Sequence, residues 1–138
     1  ALRNVEFDVE AIYITDFDEG GTMLDPTVDV DLEIHGQVSN PTIMPVHIES
    51  CTFEIYVESE FYGTGKIEDF RATQTPSDLI IDAFLENIGG TLYIELTDLL
   101  LLGNSKTFTI KILTVKSLGI SVNLNQEIDV IVTQDDII

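Results

Sequence analysis

Positive charge is scarce in this 138-residue sequence, which has six lysines and arginines against 25 aspartates and glutamates and a net charge of −19. A chain with this charge repels the phosphates of nucleic acids and the headgroups of anionic membranes, so neither is expected as a partner. Cysteine is equally rare. Because Cys51 stands alone, an intramolecular disulfide is impossible and a cysteine-based zinc site is disfavoured.

Long apolar runs are also missing. The run Leu99 to Leu102 is far short of the roughly 20 apolar residues that a membrane-spanning helix needs. No signal peptide is present in the sequence either. Because the chain begins at Ala1 rather than at a methionine, we expect that an upstream segment was removed. That segment could have held an export signal or anchor, so the location is left open, with an extracellular or membrane-tethered one slightly favoured over a cytoplasmic one.

Apolar residues are nevertheless abundant enough for folding. They make up 44% of the chain, which is too many for a disordered acidic segment. The length suits one packed domain over residues 1–138. The sequence has 18 isoleucines, 11 valines and 14 threonines against four alanines, and β-branched residues at this density favour strands over helices.

The periodicity of the sequence predicts an all-β fold. Apolar side chains alternate with a polar row of Asp29, Asp31, Glu33 and His35, which is typical of a half-buried strand. Seven or eight short strands separated by turn signals predict a Greek-key-like two-sheet β-sandwich. The other predicted strands are Val5 to Ile14, Phe53 to Val57, Leu79 to Ile88, Leu92 to Leu96, Phe108 to Ile112, Ile120 to Leu124 and Glu127 to Thr133.

One short helix is predicted near residues 97–102. Thr97 can cap its first turn, and the pair Gly103-Asn104 supplies a left-handed stop after the leucine run. The row Asp29, Asp31 and Glu33 needs counter-charges, for which Lys106, Lys111 and Lys116 are the candidates.

A sharp corner is predicted in the stretch from Val38 to Ile48, directly after the strand Val28 to Ile34. The Asn40 side chain can hydrogen-bond its own backbone, and Pro41 removes a donor and restricts φ. Pro45 makes a second break before the alternating pair Val46 and Ile48. The result is a rigid turn between two strands.

This corner resembles the late embryogenesis abundant type 2 family, also called the water-stress and hypersensitive-response (WHy) domain. The family pattern is a long strand, V-x-N-P-N-x-F-P-I-x-I, an alternating strand and a small-residue turn with G-x-G. Thr42 stands where the family has a second asparagine, and Met44 stands where it has an aromatic; threonine can also turn locally, and methionine fills an apolar pocket. The residues that match the pattern are Val38, Asn40, Pro41, Pro45, Val46, Ile48, Gly63 and Gly65.

The resemblance covers roughly residues 8–133, because Thr97 to Leu102 and the closing strand near Val130 also fit the family order. It implies a Greek-key-like sandwich with a short helix and no catalytic residues. The family is associated with desiccation, cold and other stresses, so the resemblance implies protection or binding.

The acidic stretch from Asp16 to Gly21 is similar to the start of a calcium-binding loop. An EF-hand starting at Asp16 would place Gly20 and Thr27 at ligand positions, so that motif fails. We therefore expect a solvated acidic loop and no cofactor. The alternative is a looser calcium site formed by Asp16, Asp18, Glu19 and Asp25.

Nucleophilic catalysis lacks a suitable pair. His47 and Cys51 are about 13 Å apart along an extended strand, beyond hydrogen-bonding reach. Cys51 is expected to be a small buried residue, and His35 and His47 surface or turn residues. Two histidines without further ligands make a poor zinc set, so an enzyme is not expected.

The expected function is a non-enzymatic stress-protective or binding domain, acting through its acidic surface or by holding an apolar or lipid-like client in the sandwich groove. The first alternative is an extracellular structural subunit that assembles by β-strand addition. The N-terminal strand 5–10 alternates apolar and acidic residues, so it could complete its own sheet or that of a neighbour. The second alternative is a calcium-dependent adhesion module.

Overall fold

Seven strands and one α-helix form in residues 2–42 and 44–137, which are the residues that the computed structural model describes. Two 3-10 turns, Leu2–Asn4 and Gln134–Asp136, flank them. In chain order the elements are β1 (Glu6–Gly21), β2 (Pro26–Ser39), β3 (Val46–Val57), β4 (Glu60–Ala72), β5 (Ser77–Ile88), α1 (Gly90–Leu102), β6 (Lys106–Ser117) and β7 (Ile120–Val132).

The strands form two antiparallel sheets that face each other. The three-stranded sheet has the order β1-β2-β5, and the four-stranded sheet has the order β4-β3-β6-β7. The chain changes sheet between β2 and β3, between β4 and β5, and between β5 and β6. These crossings make sequence-distant strands neighbours, as in a Greek key. The predicted all-β, two-sheet sandwich with one helix is confirmed.

The core lies between the two sheets and is built from the apolar row of each strand. Val30 and Leu32 of β2 are at most 1% exposed, and Phe53 of β3 and Phe108 of β6 are at most 2% exposed. Burying each such side chain stabilises the fold by about 1.5–3 kcal/mol. The polar row of β2 points away from this core, as its alternation predicts.

The strands are longer than the sequence pattern indicates. β1 has 16 residues and β2 has 14. The predicted strands Ile120 to Leu124 and Glu127 to Thr133 are one strand, β7, because a bulge at Asn125, with a positive φ of 50°, carries the chain across the apparent break.

The helix begins at Gly90 rather than at Thr97, and the strand predicted at Leu92 to Leu96 is wrong. Over five residues, alternation and helical spacing look alike, so the sequence pattern was ambiguous. Leu96, Leu99 and Leu100 are buried at helical spacing. The predicted stop is confirmed: Gly103 adopts the left-handed region with a φ of 74°. No helix in residues 2–42 and 44–137 is long and apolar enough to cross a membrane.

Thr97 does not cap this helix. Thr97 lies in the middle of the helix, and its hydroxyl donates a hydrogen bond to the backbone carbonyl of Tyr93, at 2.9 Å. Gly89 occupies the N-cap position without a side-chain cap. A threonine followed by an aspartate is therefore an incomplete start signal, because threonine can satisfy its hydroxyl within a helix.

The predicted G-x-G turn is wrong, because Gly63 and Gly65 lie inside strand β4. A Cβ atom on Gly65 would collide with the ring of Phe53, and one on Gly63 would lie 2.6 Å from Cδ2 of Leu85 in the opposite sheet. These glycines are therefore required for close packing across and between the sheets.

Candidate functional site

The corner between β2 and β3 is organised around the buried side chain of Asn40. Its Oδ1 accepts hydrogen bonds from the backbone N–H of Thr42, at 3.3 Å, and from the Thr42 hydroxyl, at 2.9 Å. Its Nδ2 donates to the carbonyl of Met44, at 3.3 Å, and its backbone N–H donates to the carbonyl of Thr73, at 2.8 Å. The predicted Asx turn is confirmed, and it holds two sheets together at one end of the sandwich.

The other corner residues divide into buried and exposed groups. Val38 and Ile48 are buried, and Val46 packs partly against the core, whereas Pro41 and Pro45 are exposed. Met44 is 73% exposed, so the expectation that it fills an apolar pocket is wrong. The chain turns outward at this position, which leaves the Met44 side chain in solvent. The corner is thus a structural joint, held mainly by Asn40 and Thr42.

The outer side of the three-stranded sheet is rich in carboxylates. β1, β2 and β5 contain no lysine or arginine. Their registers and alternating burial place nine carboxylates on this side, which we call the acidic face. These residues are Glu6, Asp8, Asp16, Asp18, Asp29, Asp31, Glu33, Asp78 and Asp82.

Like charges lie directly opposite each other on the acidic face. Asp16 pairs in register with Asp31, and Asp18 pairs with Asp29. Glu33 is likewise opposite Asp82. Like charges at directly opposite positions of an antiparallel pair destabilise a sheet. The face therefore carries a stability cost that a neutral sheet would avoid.

The lysines proposed to neutralise this face lie elsewhere. Lys106, Lys111 and Lys116 belong to β6, in the middle of the other sheet, so that expectation is wrong. Two sheets of a sandwich are packed about 10 Å apart, and their outer faces point in opposite directions. Among the residues of β1, β2 and β5, His35 is the one basic group on the acidic face, and its Nε2 lies 2.5 Å from Oε1 of Glu33.

The four predicted calcium ligands do not converge. Asp16, Asp18 and Glu19 belong to strand β1 and not to a loop, and Asp25 lies in the hairpin turn after it. Alternation along a strand points Glu19 away from the side on which Asp16 and Asp18 lie. Within residues 2–42 and 44–137, no group of three or more acidic, histidine or cysteine residues is arranged to hold a metal.

Lys106 instead connects the helix to the four-stranded sheet. Its Nζ lies 2.7 Å from Oε2 of Glu95 and 2.7 Å from Oδ2 of Asp98, and it is largely shielded from solvent. Hydrogen bonds from Lys106 and then from Asn104 lower the pKa of the Asp98 carboxyl. The hydrogen bonds that Lys106 donates to Asp98 and then to Glu95 raise the pKa of Lys106. Sequence reasoning missed this cluster because it did not place Glu95 on a helix.

The groups that could act as nucleophiles are unsuited to that role. Cys51 is fully buried, and burial raises the pKa of its thiol to about 12, so it is protonated at neutral pH. Burial also raises the pKa of Tyr62, whose hydroxyl has no hydrogen-bond partner in the described part of the chain. His47 is exposed and lies 3.7 Å from Oδ1 of Asp69. Cys51 is buried as expected.

The N-terminal strand completes its own sheet. The segment from Glu6 to Val9 pairs with the segment from Gly36 to Ser39 of the same chain. Of the two possibilities that the sequence left open, addition to its own sheet is the one observed. Strand addition to a neighbour through this segment would require it to leave β2 first.

The interior of the sandwich contains a small apolar cavity of about 20 Å³. This volume is about enough for one water molecule, whereas binding sites for small organic ligands measure about 300–1,000 Å³. A lipid chain would fit only if the sheets separated. Its lining includes Phe7, Val9, Ile34, Phe53, Ile67 and Ile110.

Two solved structures share the fold of this chain. One is a protein described as late embryogenesis abundant (LEA), At2g46140.1, with a TM-score of 0.53, 14% identity, and coverage of 94% of this chain and 70% of that chain. The other is AT1g01470 from Arabidopsis thaliana, with a TM-score of 0.52, 15% identity, and coverage of 93% and 83%. No protein-family model and no curated protein sequence matches the chain. The likeness to LEA proteins is one of fold.

Proposed function

We propose that this chain is a non-enzymatic, stress-protective domain of the late embryogenesis abundant type 2 (WHy) kind, and that it acts through its acidic face. The observation that carries the proposal is the set of opposed carboxylates on the three-stranded sheet, in strands without lysine or arginine. The fold shared with a LEA protein supports the same role.

Ionised carboxylates hold water strongly, because removing a charge from water is very costly. A face of this kind retains a hydration layer as the surroundings dry, and its charge keeps crowded molecules apart. A client protein beside it is therefore shielded from contact with other denaturing molecules. The opposed pairs Asp16–Asp31 and Asp18–Asp29 concentrate this effect in one region.

The interior supports a surface mechanism over a groove for a lipid-like client. The cavity of about 20 Å³ leaves no room for such a client between the packed sheets. The buried, protonated thiol of Cys51 supports a role without covalent catalysis at this residue.

The test is recovery of a drying-sensitive enzyme, such as lactate dehydrogenase, after desiccation with the intact chain. We expect better recovery than with an equal mass of serum albumin. A variant with Asp16, Asp18, Asp29 and Asp31 each replaced by Asn should lose much of that advantage, because it removes four charges from the acidic face.

The matched control removes four charges from the opposite side of the sandwich, by replacing Glu54, Glu68 and Glu127 with Gln and Asp129 with Asn. It has the same net charge as the first variant, and we expect it to protect like the original chain. Recovery no better than with albumin would contradict the protective role. Equal losses in both variants would contradict the assignment to the acidic face.

A further inference from the structure

The two edge strands of the three-stranded sheet, β1 and β5, differ in how well their outer edges are protected from pairing with another strand. Along β1, the side chain of Gln126 replaces a missing strand: the backbone N–H of Phe7 donates to its Oε1, at 3.1 Å, and its Nε2 donates to the carbonyl of Val5, at 2.8 Å. Further along, Ile14 forms a bridge with Ile137. Two bulges also interrupt β1. Such devices prevent another strand from pairing with an edge.

The outer edge of β5 lacks these devices from Ser77 to Leu85, because its register shift comes only after Leu85. Within the described residues β5 pairs only with β2, and its register is regular from Ser77 to Leu85. A row of unpaired backbone groups on a regular strand is a template for another strand. From Ser77 to Leu85, this edge is therefore better prepared for strand addition than the edge of β1.

The side chains beside this edge alternate between acidic and apolar. Asp78, Ile80, Asp82 and Phe84 point to the outer side, in that order. Ile80 is 64% exposed and Phe84 is 56% exposed, and neither is opposite an apolar residue of β2 that could cover it. Exposed apolar side chains that flank a carboxylate on a free edge offer a partner both contact area and charge.

A second copy of this chain is a poor partner for the edge. Antiparallel pairing of two β5 strands centred on Asp82 would place Asp82 opposite itself, and each copy carries a net charge of −19. The charges that reject a second copy attract a basic strand. Charge complementarity therefore selects the occupant.

We propose that the free edge of β5 binds an extended basic segment of a partner protein as an added antiparallel strand. Lysine or arginine side chains four residues apart would lie opposite Asp82 and Asp78. An apolar side chain midway between them would contact Ile80, and an apolar side chain two residues before the one opposite Asp82 would contact Phe84. Backbone pairing supplies affinity, and the alternating side chains supply specificity. The inference goes beyond the proposed protective role, because drying protection does not require strand pairing.

The probe is a labelled nine-residue peptide with the sequence Lys-Thr-Val-Thr-Lys-Thr-Val-Thr-Lys. We expect it to bind the intact chain in a fluorescence anisotropy titration, and to slow backbone hydrogen exchange in β5 more than in β4 or β7. A peptide with Glu in place of each Lys should not bind. Binding without slower exchange in β5 would overturn the proposal.

Charge reversal separates the edge from general attraction to an acidic protein. The exchange Asp82→Lys should weaken binding of the lysine peptide by about tenfold and make the glutamate peptide bind better. The control, Glu127→Lys, makes the same charge change on the exposed outer side of β7 and should change affinity less than about twofold. Equal weakening in both variants would mean attraction by net charge alone and would overturn strand addition.

Discussion

The outer sides of the two sheets have opposite charge designs. On the four-stranded sheet, Lys111 is in register with Glu54 on one side and with Glu127 on the other, and Lys66 lies 3.1 Å from Glu68. On the three-stranded sheet, carboxylates are opposite carboxylates, and no lysine or arginine occurs in its strands. One protein therefore has a mixed face and an acidic face.

The difference teaches that the net charge of the chain is not spread evenly as a solubility device. Lys106 and Lys111 of β6 have acidic neighbours, whereas the strands of the three-stranded sheet contain no lysine or arginine to neutralise their carboxylates. One apolar core supports both faces, because the inner rows of β2, β3 and β6 are buried and those of the edge strands pack partly against them. The acidic face is therefore tolerated by the fold and not required by it.

The largest expected effect concerns the packing that keeps the two faces on opposite sides. We expect Gly65→Ala to destabilise the protein by about 1–3 kcal/mol, because the new methyl group collides with the Phe53 ring. Urea unfolding measures the loss. The control is Gly20→Ala, where a Cβ atom would lie 3.5 Å from Oγ1 of Thr27, an ordinary contact. Similar midpoints for the two variants would contradict the tight packing of β4 on β3.

A smaller effect tests the charge contrast itself. Replacing Asp31 with Asn removes the charge opposite Asp16 while keeping the shape of the side chain, so we expect stabilisation of about 0.2–1 kcal/mol. The corresponding change on the mixed face, Glu127→Gln, removes an acidic neighbour of Lys111 and should not stabilise the protein. Thermal unfolding at low and high salt measures both. The gain from Asp31→Asn should shrink with salt, and a gain that ignores salt would contradict an electrostatic origin.

The smallest effect compares a shielded ion pair, Lys106–Asp98, with an exposed one, Lys66–Glu68. Hydrogen bonding from Lys106 lowers the pKa of Asp98 below its ordinary value of 3.8 in the folded protein. A depressed carboxyl pKa contributes stability that is complete above the unfolded value and is lost as the pH falls through the folded value. The stability difference between the original chain and Asp98→Asn should therefore be constant near neutral pH and disappear in acid below that value.

The control for this pH dependence is Glu68→Gln. Glu68 and Lys66 are more than half exposed, whereas the Lys106 side chain is 12% exposed, so solvent screens the first pair more. Urea unfolding over a range of pH measures both variants. A Glu68→Gln effect as large as that of Asp98→Asn would contradict the importance of shielding by the helix.

The regular parts of the fold were predictable from local patterns. The alternation around Val30 and Leu32 identified the buried row of β2 correctly, because successive side chains of a strand point to opposite faces of the sheet. Gly103 and Asn40 were also interpreted correctly, since a left-handed stop and an Asx turn depend on residues close in sequence. The sandwich followed from these local features.

The errors arose where local patterns have two meanings. Leu92 to Leu96 fits a strand and a helix equally well, and only burial of Leu96 and Leu99 under the sheets selects the helix. Gly63 and Gly65 resemble turn residues, yet they serve close packing of side chains from β3 and β5. In both cases a distant part of the chain decides.

The sequence by itself determined that the chain folds into β-structure, which side chains of each strand are buried, and that acid greatly exceeds base. Tertiary structure alone decided where that acid lies. Pairing of β1 and β5 with β2 put carboxylates opposite carboxylates, and placement of β6 in the other sheet took the lysines away. The reason is that alternation is a property of one strand, whereas neighbours across a sheet are chosen by the packing of the whole chain.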